Sequence, residues 1–228
     1  MPHNDILAKL KDAVRSVSDN IQNYVSNPGD FSRNGKLPAN ILMEFLIGQG
    51  SRSTRNELID AFSYDKDHPS ASALVQKRAK LSPAALRDVL YRFNQSLEPS
   101  SSNSNYHFFA ADGSTLSFLS SSIFSSDDYF TTQGNSAKGA LSVHLTAFHD
   151  LDSNRYSDAV IQPISQKDEY GAFSTIVDRH PVPASAKAVF IADRGFCSYN
   201  NIAHVMQRGQ FFLFRAKDYS LKGAVAPY

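Results

Sequence analysis

The stretch that decides the fold of this chain is AVFIAD at residues 188–193, in which five apolar residues are followed directly by an acid. A continuous apolar run of this kind is typical of a central strand that helices cover on both faces. A second run, YHFFAADG at residues 106–113, also reaches an acid directly after an alanine. The two runs predict a sheet with a carboxylate at the end of each of two strands.

Hydropathy patterns around these runs extend the prediction to an α/β unit. Residues 141–148 alternate between apolar and polar side chains, as a half-buried strand does, and Phe173, Ile176 and Val177 have helical spacing. The predicted elements are strands at 106–111, 141–148, 156–164, 188–192 and 210–215, and helices at 169–179 and from Ser198 to Gly209. Their order is β-β-β-α-β-α-β, a meander followed by two crossovers whose length implies parallel pairing.

The first half of the chain is predicted to be helical, and the polar segment EPSSSNSN at residues 98–105 separates it from the second half. Helix start signals occur at Pro38, at Thr54 with Glu57 as a capping box, at Ser70 and at Ser82. The predicted organisation is a small all-α region at 1–98, a linker at 99–105 and a sheet-containing core at 106–228.

The positive charge of the first half is concentrated in one stretch. The whole chain has a net charge of +1, whereas residues 74–92 contain five Lys or Arg residues against the single acid Asp88. A local basic patch of this kind can bind nucleic-acid phosphates, and Lys77, Arg78 and Lys80 are its candidates. A solvated helix face is the commoner cause of such a stretch and stays open as the alternative.

Composition excludes several other classes of protein. Hydrophobic residues make up 42% of the 228 residues and charged residues 20%, which rules out a fully disordered chain. The lone Cys197 rules out a disulfide scaffold and is compatible with a reducing compartment. No apolar run approaches the ~20 residues of a membrane span, and the N-terminus lacks the features of a secretory signal. We therefore expect a cytoplasmic protein with no membrane partner.

Two acids, Asp112 and Asp193, follow the first and fourth predicted strands and are the candidate site. Ligands of open α/β sheets bind beyond the carboxyl ends of strands, near the point where the topology switches. That point lies between the meander and the crossovers, so the two strands are expected side by side. Two adjacent carboxylates favour Mg²⁺, and two ions about 3.5–4 Å apart form the clamp for phosphoryl displacement. The alternative is turn formation, because Asp close to Gly is common turn chemistry.

Four motifs follow one another along the chain: SALVQKRAKL at 72–81, FAADGS at 109–114, IADRGF at 191–196 and FLFRAK at 212–217. Together they resemble bacterial insertion-sequence DDE transposases of the IS-four group, the first motif in the DNA-binding region and the other three in the catalytic core. The resemblance implies a ribonuclease-H-like mixed sheet. It also implies that Asp112 and Asp193 are the first two acids of an Asp-Asp-Glu site that holds Mg²⁺, with Mn²⁺ as a substitute.

The resemblance further implies that the partner is double-stranded DNA, namely the terminal inverted repeats of an insertion sequence, with a homodimer on DNA as a further expectation. Arg194, Arg215 and Lys217 are expected to face the DNA near the site, and ordinary surface charge is the alternative. Two other functions stay open. One is a DNA-binding protein without catalysis, and the other is a different ribonuclease-H-like nuclease.

The chain departs from the family pattern at the third acid. It is a Glu on a helix after the fifth strand, within a Tyr-Arg-Glu-Lys signature that these 228 residues lack. Glu169 is the only glutamate after the linker, but an acid at a helix start complements the helix dipole, so Glu169 is not counted as a ligand. His144 and His149 lack the spacing of a helical zinc pair and are interpreted as core or surface residues. We expect this chain to resemble the front part of a transposase, to be inactive by itself and to be poorly soluble.

Overall fold

The computed structural model describes residues 3–33, 35–97, 105–118, 127–132, 139–179 and 187–216. The chain divides into two compact units, Met1–Glu98 and Pro99–Tyr228, and each contains its own cluster of buried apolar side chains. Residues 99–104 of the predicted linker lie outside the described residues. Within the described ranges, no helix has both the length and the apolar character needed to cross a bilayer.

The described part of the first unit contains five α-helices around one apolar core. They are α1 (His3–Ser18), α2 (Ala39–Gly48), α3 (Thr54–Ala61), α4 (Ala71–Arg78) and α5 (Ala84–Ser96). The four later helices match the predicted helix starts to within one or two residues. The sequence analysis did not predict α1, which packs because Val14 and Val17 are fully buried on its inner face.

Side-chain caps explain where α3 and α4 begin. Ser70 caps α4 by accepting a hydrogen bond from the N–H of Ala73 at 3.1 Å. For α3 the predicted cap is wrong by one residue, because Ser53 accepts from the third residue of the helix and Thr54 is already helical. The side chain of Glu57 reaches back to the N–H of Arg52 at 3.0 Å, one residue further than a capping box requires.

The second unit is a mixed α/β unit. Its elements are β1 (Tyr106–Phe118), β2 (Phe130–Thr132), β3 (Gly139–Asp150), β4 (Arg155–Pro163), α6 (Glu169–Arg179), β5 (Lys187–Ala192), α7 (Tyr199–Gln207) and β6 (Phe211–Phe214). The strand order is β2-β3-β1-β5-β6, and β4 also pairs with β3. β3 is antiparallel to its neighbours, whereas β1, β5 and β6 are parallel. The predicted order of elements and the adjacency of the first and fourth predicted strands are confirmed, with the short β2 as an addition.

β1 is longer than the sequence predicts, which changes the position of Asp112. Its antiparallel ladder with β3 continues to Phe118 opposite Leu141, so the predicted strand end and turn at Asp112 are wrong. Only the parallel ladder with β5 stops just before Asp112, at Ala111 opposite Ala192. The reason is that β3 has 12 residues and supplies pairing partners beyond the point where β5 leaves.

Aromatic side chains pack α6 and α7 onto one face of the sheet. The ring centroids of Phe148 and Phe173 are 5.2 Å apart, and those of Phe148 and Phe190 are 5.6 Å apart, within the favourable range for aromatic pairs. Both helices contribute to this one cluster. Val189 and Ile191 on the other face of β5 are therefore only half-buried, and the predicted burial of this strand on both faces is wrong.

Candidate functional site

Asp112 lies within β1, and Asp193 directly follows the end of the neighbouring strand β5. Ala111 and Ala192 are register partners in the parallel ladder between β1 and β5, so the two acids are the next residues on each chain segment. Neighbouring strands are about 4.7–4.9 Å apart. Both acidic side chains are exposed, so a ligand can reach both of them from solvent.

Each of the two carboxylates has a weak local partner. Oδ1 of Asp112 accepts a hydrogen bond from the N–H of Gly113 at 2.8 Å. Oδ1 of Asp193 is 3.7 Å from a guanidinium nitrogen of Arg215, and both side chains of this pair are mostly exposed. Exposed ion pairs of this kind are worth about 0–1 kcal/mol. Little free energy is therefore needed to turn either carboxylate toward a ligand.

A third carboxylate, that of Glu169, belongs to the first residue of α6. Asp168 caps this helix by accepting from the N–H of Gly171 at 2.9 Å, which fixes where Glu169 begins the first turn. Oε1 of Glu169 lies 3.1 Å from Nε2 of His144 and 3.2 Å from Nζ of Lys167. The Glu169 side chain is 29% exposed, so it borders solvent on one side and the sheet on the other.

Two glycines make room for the Glu169 carboxylate. A Cβ atom on Gly113 would lie 2.8 Å from Oε1 of Glu169 and 3.0 Å from Nε2 of His144. A Cβ atom on Gly195 would lie at an ordinary contact distance of 3.9 Å from Oε2. Gly113 directly follows one site acid and Gly195 lies two residues after the other. The Glu169 carboxylate is therefore close to both acid-bearing segments.

His144 on β3 is buried beside this carboxylate, with a side chain only 1% exposed. Its Nδ1 is 3.4 Å from Oγ1 of Thr115. Its Nε2 makes no hydrogen bond with the described residues, although Oε1 of Glu169 is near it. Burial lowers the pKa of His144, the charge of Lys167 lowers it further, and the charges of Glu169 and Asp112 oppose the shift. His144 is therefore neutral at pH 7.

The carboxylates of Asp112, Asp193 and Glu169 do not form a closed metal-binding group in this structure. As the side chains stand, the described residues contain no group of three or more His, Cys, Asp or Glu side chains that could hold a metal ion. Successive residues of a strand face opposite sides of the sheet, so Asp112 and Glu169 approach Gly113 from two sides. Carboxylate oxygens are the ligands that Mg²⁺ prefers. Asp112 and Asp193 offer exposed carboxylate oxygens, which are the donor type that suits Mg²⁺.

Two of the three basic residues predicted near the site, Arg194 and Arg215, are among the described residues. Arg194 is exposed at the start of a short 3₁₀ turn that directly follows Asp193. Arg215 is held next to the site by its backbone, because its N–H donates to the carbonyl of Ala192 at 3.2 Å. Lys217 lies outside the described residues. The two arginines are thus at the same end of the sheet as the acids.

The three basic residues predicted in the first unit are held in different ways. Lys80 donates to Oδ1 of Asp30 at 2.6 Å, and this hydrogen bond lowers the pKa of the buried Asp30 carboxyl. Nζ of Lys77 lies 4.6 Å from the ring centroid of Phe31. Arg78 is exposed in the last turn of α4. Lys80 therefore has a structural partner, and Arg78 is exposed to solvent.

The sequence analysis did not include Glu169 or His144 in this site. The alternation of residues 141–148 could have indicated that His144 is buried, because His144 lies on the same strand face as the fully buried Phe148. No local signal indicates that Glu169 meets Gly113, because that contact depends on how α6 crosses the sheet.

No family model matches the chain, and none of the curated proteins compared with it matches either. A proposal about function therefore depends on two things, the motifs that resemble DDE transposases and the geometry of the site.

Proposed function

We propose that this chain is a DNA transposase of the insertion-sequence DDE type, with a ribonuclease-H-like core of the kind that cleaves and transfers DNA strands at the ends of an element, and that it is inactive by itself. The observation that carries the proposal is the register of Ala111 with Ala192, because Asp112 and Asp193 follow these two partners where β5 leaves β1. The order of elements adds support, since a meander followed by parallel strands is what the resemblance implies.

The proposed site requires a divalent cation, Mg²⁺ or Mn²⁺ in its place, which Asp112 and Asp193 would hold. Both residues offer exposed carboxylate oxygens with weak local contacts, and this donor set suits a hard cation. When bound, the ion supplies an activated water and stabilises the oxygen that leaves phosphorus. The chain contributes one oxygen donor from β1 and one from Asp193, which directly follows β5, and the ladder that ends at Ala111 and Ala192 positions both residues.

The proposed reaction has two steps. In the first, a water oxygen forms a bond to phosphorus, the bond from phosphorus to the 3′ oxygen breaks, and that oxygen takes up a proton. In the second, the freed 3′ hydroxyl forms a bond to another phosphorus and displaces a 3′ oxygen there, so the number of phosphodiester bonds is conserved. Arg194 and Arg215 are the cations expected to contact phosphate oxygens, because guanidinium groups bind them in a bidentate way.

The first unit is proposed to bind the terminal inverted repeats of the element as double-stranded DNA, and a pair of chains is expected on each DNA complex. Arg78 is the leading contact because it is exposed at the end of α4. Lys77 is the second, since its ammonium group extends over an aromatic ring at the surface. Such contacts with phosphate position a protein on DNA without reading its sequence.

A DNA-binding protein without catalysis is the second candidate function. The observation that favours it is that no group of three or more potential ligands is gathered in the part of the chain that the structure describes. The two candidates differ in whether Asp112 and Asp193 bind a divalent cation.

Mn²⁺ binding distinguishes the two functions. Free Mn²⁺ is measured by electron paramagnetic resonance in titrations of the full chain, with and without duplexes covering the DNA that flanks its gene. We expect Asp112→Asn and Asp193→Asn each to weaken Mn²⁺ binding about tenfold or more. Asp178→Asn, at the far end of α6, is the matched control and is expected to bind like the wild type. Identical Mn²⁺ binding by all four proteins would contradict the proposed catalytic site.

A further inference from the structure

Glu169 has no role in the proposed function, yet its carboxylate lies against both segments that carry the site acids. Oε1 is 2.8 Å from the Cβ position of Gly113, and Oε2 is 3.9 Å from the Cβ position of Gly195. From this placement we propose that Glu169 is a third carboxylate ligand of the divalent-cation site formed by Asp112 and Asp193. The inference rests on the proposed function and names a further ligand of the same site.

An independent observation is the buried polar atom beside this carboxylate. Nε2 of His144 makes no hydrogen bond with the described residues and lies 3.1 Å from Oε1 of Glu169. Buried polar atoms are almost always paired, and an exception indicates a role such as an unfilled ligand site. A small rotation of Glu169 lets one carboxylate oxygen pair with Nε2, which leaves the other oxygen for a cation. His144 is thus a positioning residue for Glu169.

The absence of a side chain at Gly113 is part of the same arrangement. Any Cβ atom there would come within 2.8 Å of the carboxylate oxygen and 3.0 Å of the imidazole nitrogen of His144. Real Cβ atoms essentially never make a contact of 2.8 Å, so a larger residue at position 113 would force the Glu169 carboxylate to shift. The backbone N–H of the same glycine binds Oδ1 of Asp112 at 2.8 Å. The carboxylates of Asp112 and Glu169 therefore both lie next to Gly113.

Glu169 already binds a cationic group, the ammonium of Lys167 at 3.2 Å from Oε1. The Lys167 side chain is 42% exposed, and water screens an exposed ion pair of this kind strongly. A divalent cation carries twice the charge and can bind several carboxylate oxygens at once. It can therefore displace the ammonium group and draw Glu169 toward the two aspartates.

This assignment does not follow from the resemblance to the transposase family. There the third acid lies on a helix after the fifth strand, whereas Glu169 begins α6, which precedes β5. A two-metal clamp needs a donor beyond two carboxylates to hold its second ion. The geometry around Gly113 identifies Glu169 as that donor.

The test measures Mn²⁺ affinity of the full chain by electron paramagnetic resonance. Glu169→Gln keeps the size of the side chain and removes its charge, and we expect it to weaken Mn²⁺ binding about tenfold or more, as for the two aspartate variants. Asp168→Asn is the matched control because it removes the same charge one residue away while an Asn still caps the helix. We expect this control to change Mn²⁺ affinity by less than about twofold. Circular dichroism without metal checks that each variant folds.

The outcomes separate this inference from the proposed function. If Asp112→Asn and Asp193→Asn lose Mn²⁺ but Glu169→Gln does not, Glu169 is not a ligand and the proposed function stands. If none of the three loses Mn²⁺, the proposed function fails as well. Should Glu169→Gln fail to fold, Glu169→Asp provides the same test, because it keeps the charge and withdraws it by one methylene. Wild-type affinity in that variant would overturn the inference.

Discussion

The two units each bury an aspartate against a basic residue, but with a different number of contacts. In the first unit, Lys80 donates once to Asp30, at 2.6 Å. In the second, Arg179 donates from Nε and Nη2 to Asp158 at 2.6 and 2.7 Å, and Nη2 also donates to the carbonyl of Ala159 at 2.7 Å. The planar guanidinium can make all these contacts at once, which an ammonium on a flexible stem cannot. The second unit therefore has the stronger of the two electrostatic links, and this link joins α6 to β4.

The acids of the proposed site differ from both buried aspartates. Asp112 and Asp193 are exposed, and they contact a neighbouring N–H and an exposed arginine, respectively. Acids that hold the fold together are buried and paired, whereas acids that can bind a ligand remain at the surface. The comparison also gives Lys80 a structural partner in Asp30, and its contact with DNA stays a prediction.

The largest expected effect is on the stability of the second unit. Arg179→Met should destabilise it by about 3–5 kcal/mol, because it leaves the carboxylate of Asp158 buried without its guanidinium partner. Lys80→Met is the counterpart in the first unit and should cost less, since the lysine makes a single contact and is 48% exposed. Urea unfolding followed by circular dichroism measures both. Equal losses of unfolding free energy in the two variants would contradict the proposed difference between the two units.

A matched pair of glycine variants tests the exposed acids. Gly113→Ala should weaken Mn²⁺ binding about tenfold, because its Cβ atom displaces Glu169 and presses on His144. Gly195→Ala should bind Mn²⁺ like the wild type, since its Cβ atom makes only an ordinary contact. Mn²⁺ titrations of the two variants give the comparison. Similar affinities in both would show that the space at Gly113 does not matter to the site.

The salt dependence of DNA binding tests the basic stretch of the first unit. Arg78→Ala should lower the slope of log affinity against log salt by about 0.9, the value for one lost phosphate contact. Lys80→Ala should leave this slope nearly unchanged and lower stability instead, because its ammonium group holds Asp30. Fluorescence anisotropy with a labelled duplex at several salt concentrations measures the slopes. If Lys77→Ala, Arg78→Ala and Lys80→Ala combined leave the slope unchanged, this stretch does not contact DNA.

The smallest expected effect is a pH dependence of stability that His144 contributes. Its pKa is lowered in the folded state, mainly by burial, so the unfolded chain binds more protons as the pH falls below about 6.5. Stability from His144 is fully present above the unfolded pKa and is lost as the pH falls through the lower folded pKa. His144→Gln should remove this part of the acid sensitivity. Urea unfolding of both proteins at several pH values measures it, and parallel pH profiles would contradict it.

Local patterns in the sequence were enough to predict most of the elements and the α/β class. The alternation of residues 141–148 predicted β3, the apolar run 188–192 predicted β5, and Ser70 and Ser198 predicted the starts of two helices. These features depend on neighbouring residues, because strand alternation and side-chain capping involve contacts within a few positions of the chain. The candidate acids Asp112 and Asp193 were found in the same way, as acids that follow apolar runs.

Tertiary structure decided the features that depend on distant partners. β1 continues past Asp112 because β3 is there to pair with it, and β5 is half-buried on one face because α6 and α7 both pack on the other. Glu169, the first residue of α6, meets Gly113 only because this helix packs on the sheet. Local sequence patterns therefore predicted most of the strands and helices, although not α1 or β2, and they identified the acids that follow the apolar runs. Long-range packing decided which side chains meet, because strand pairing and helix docking join residues far apart in the chain.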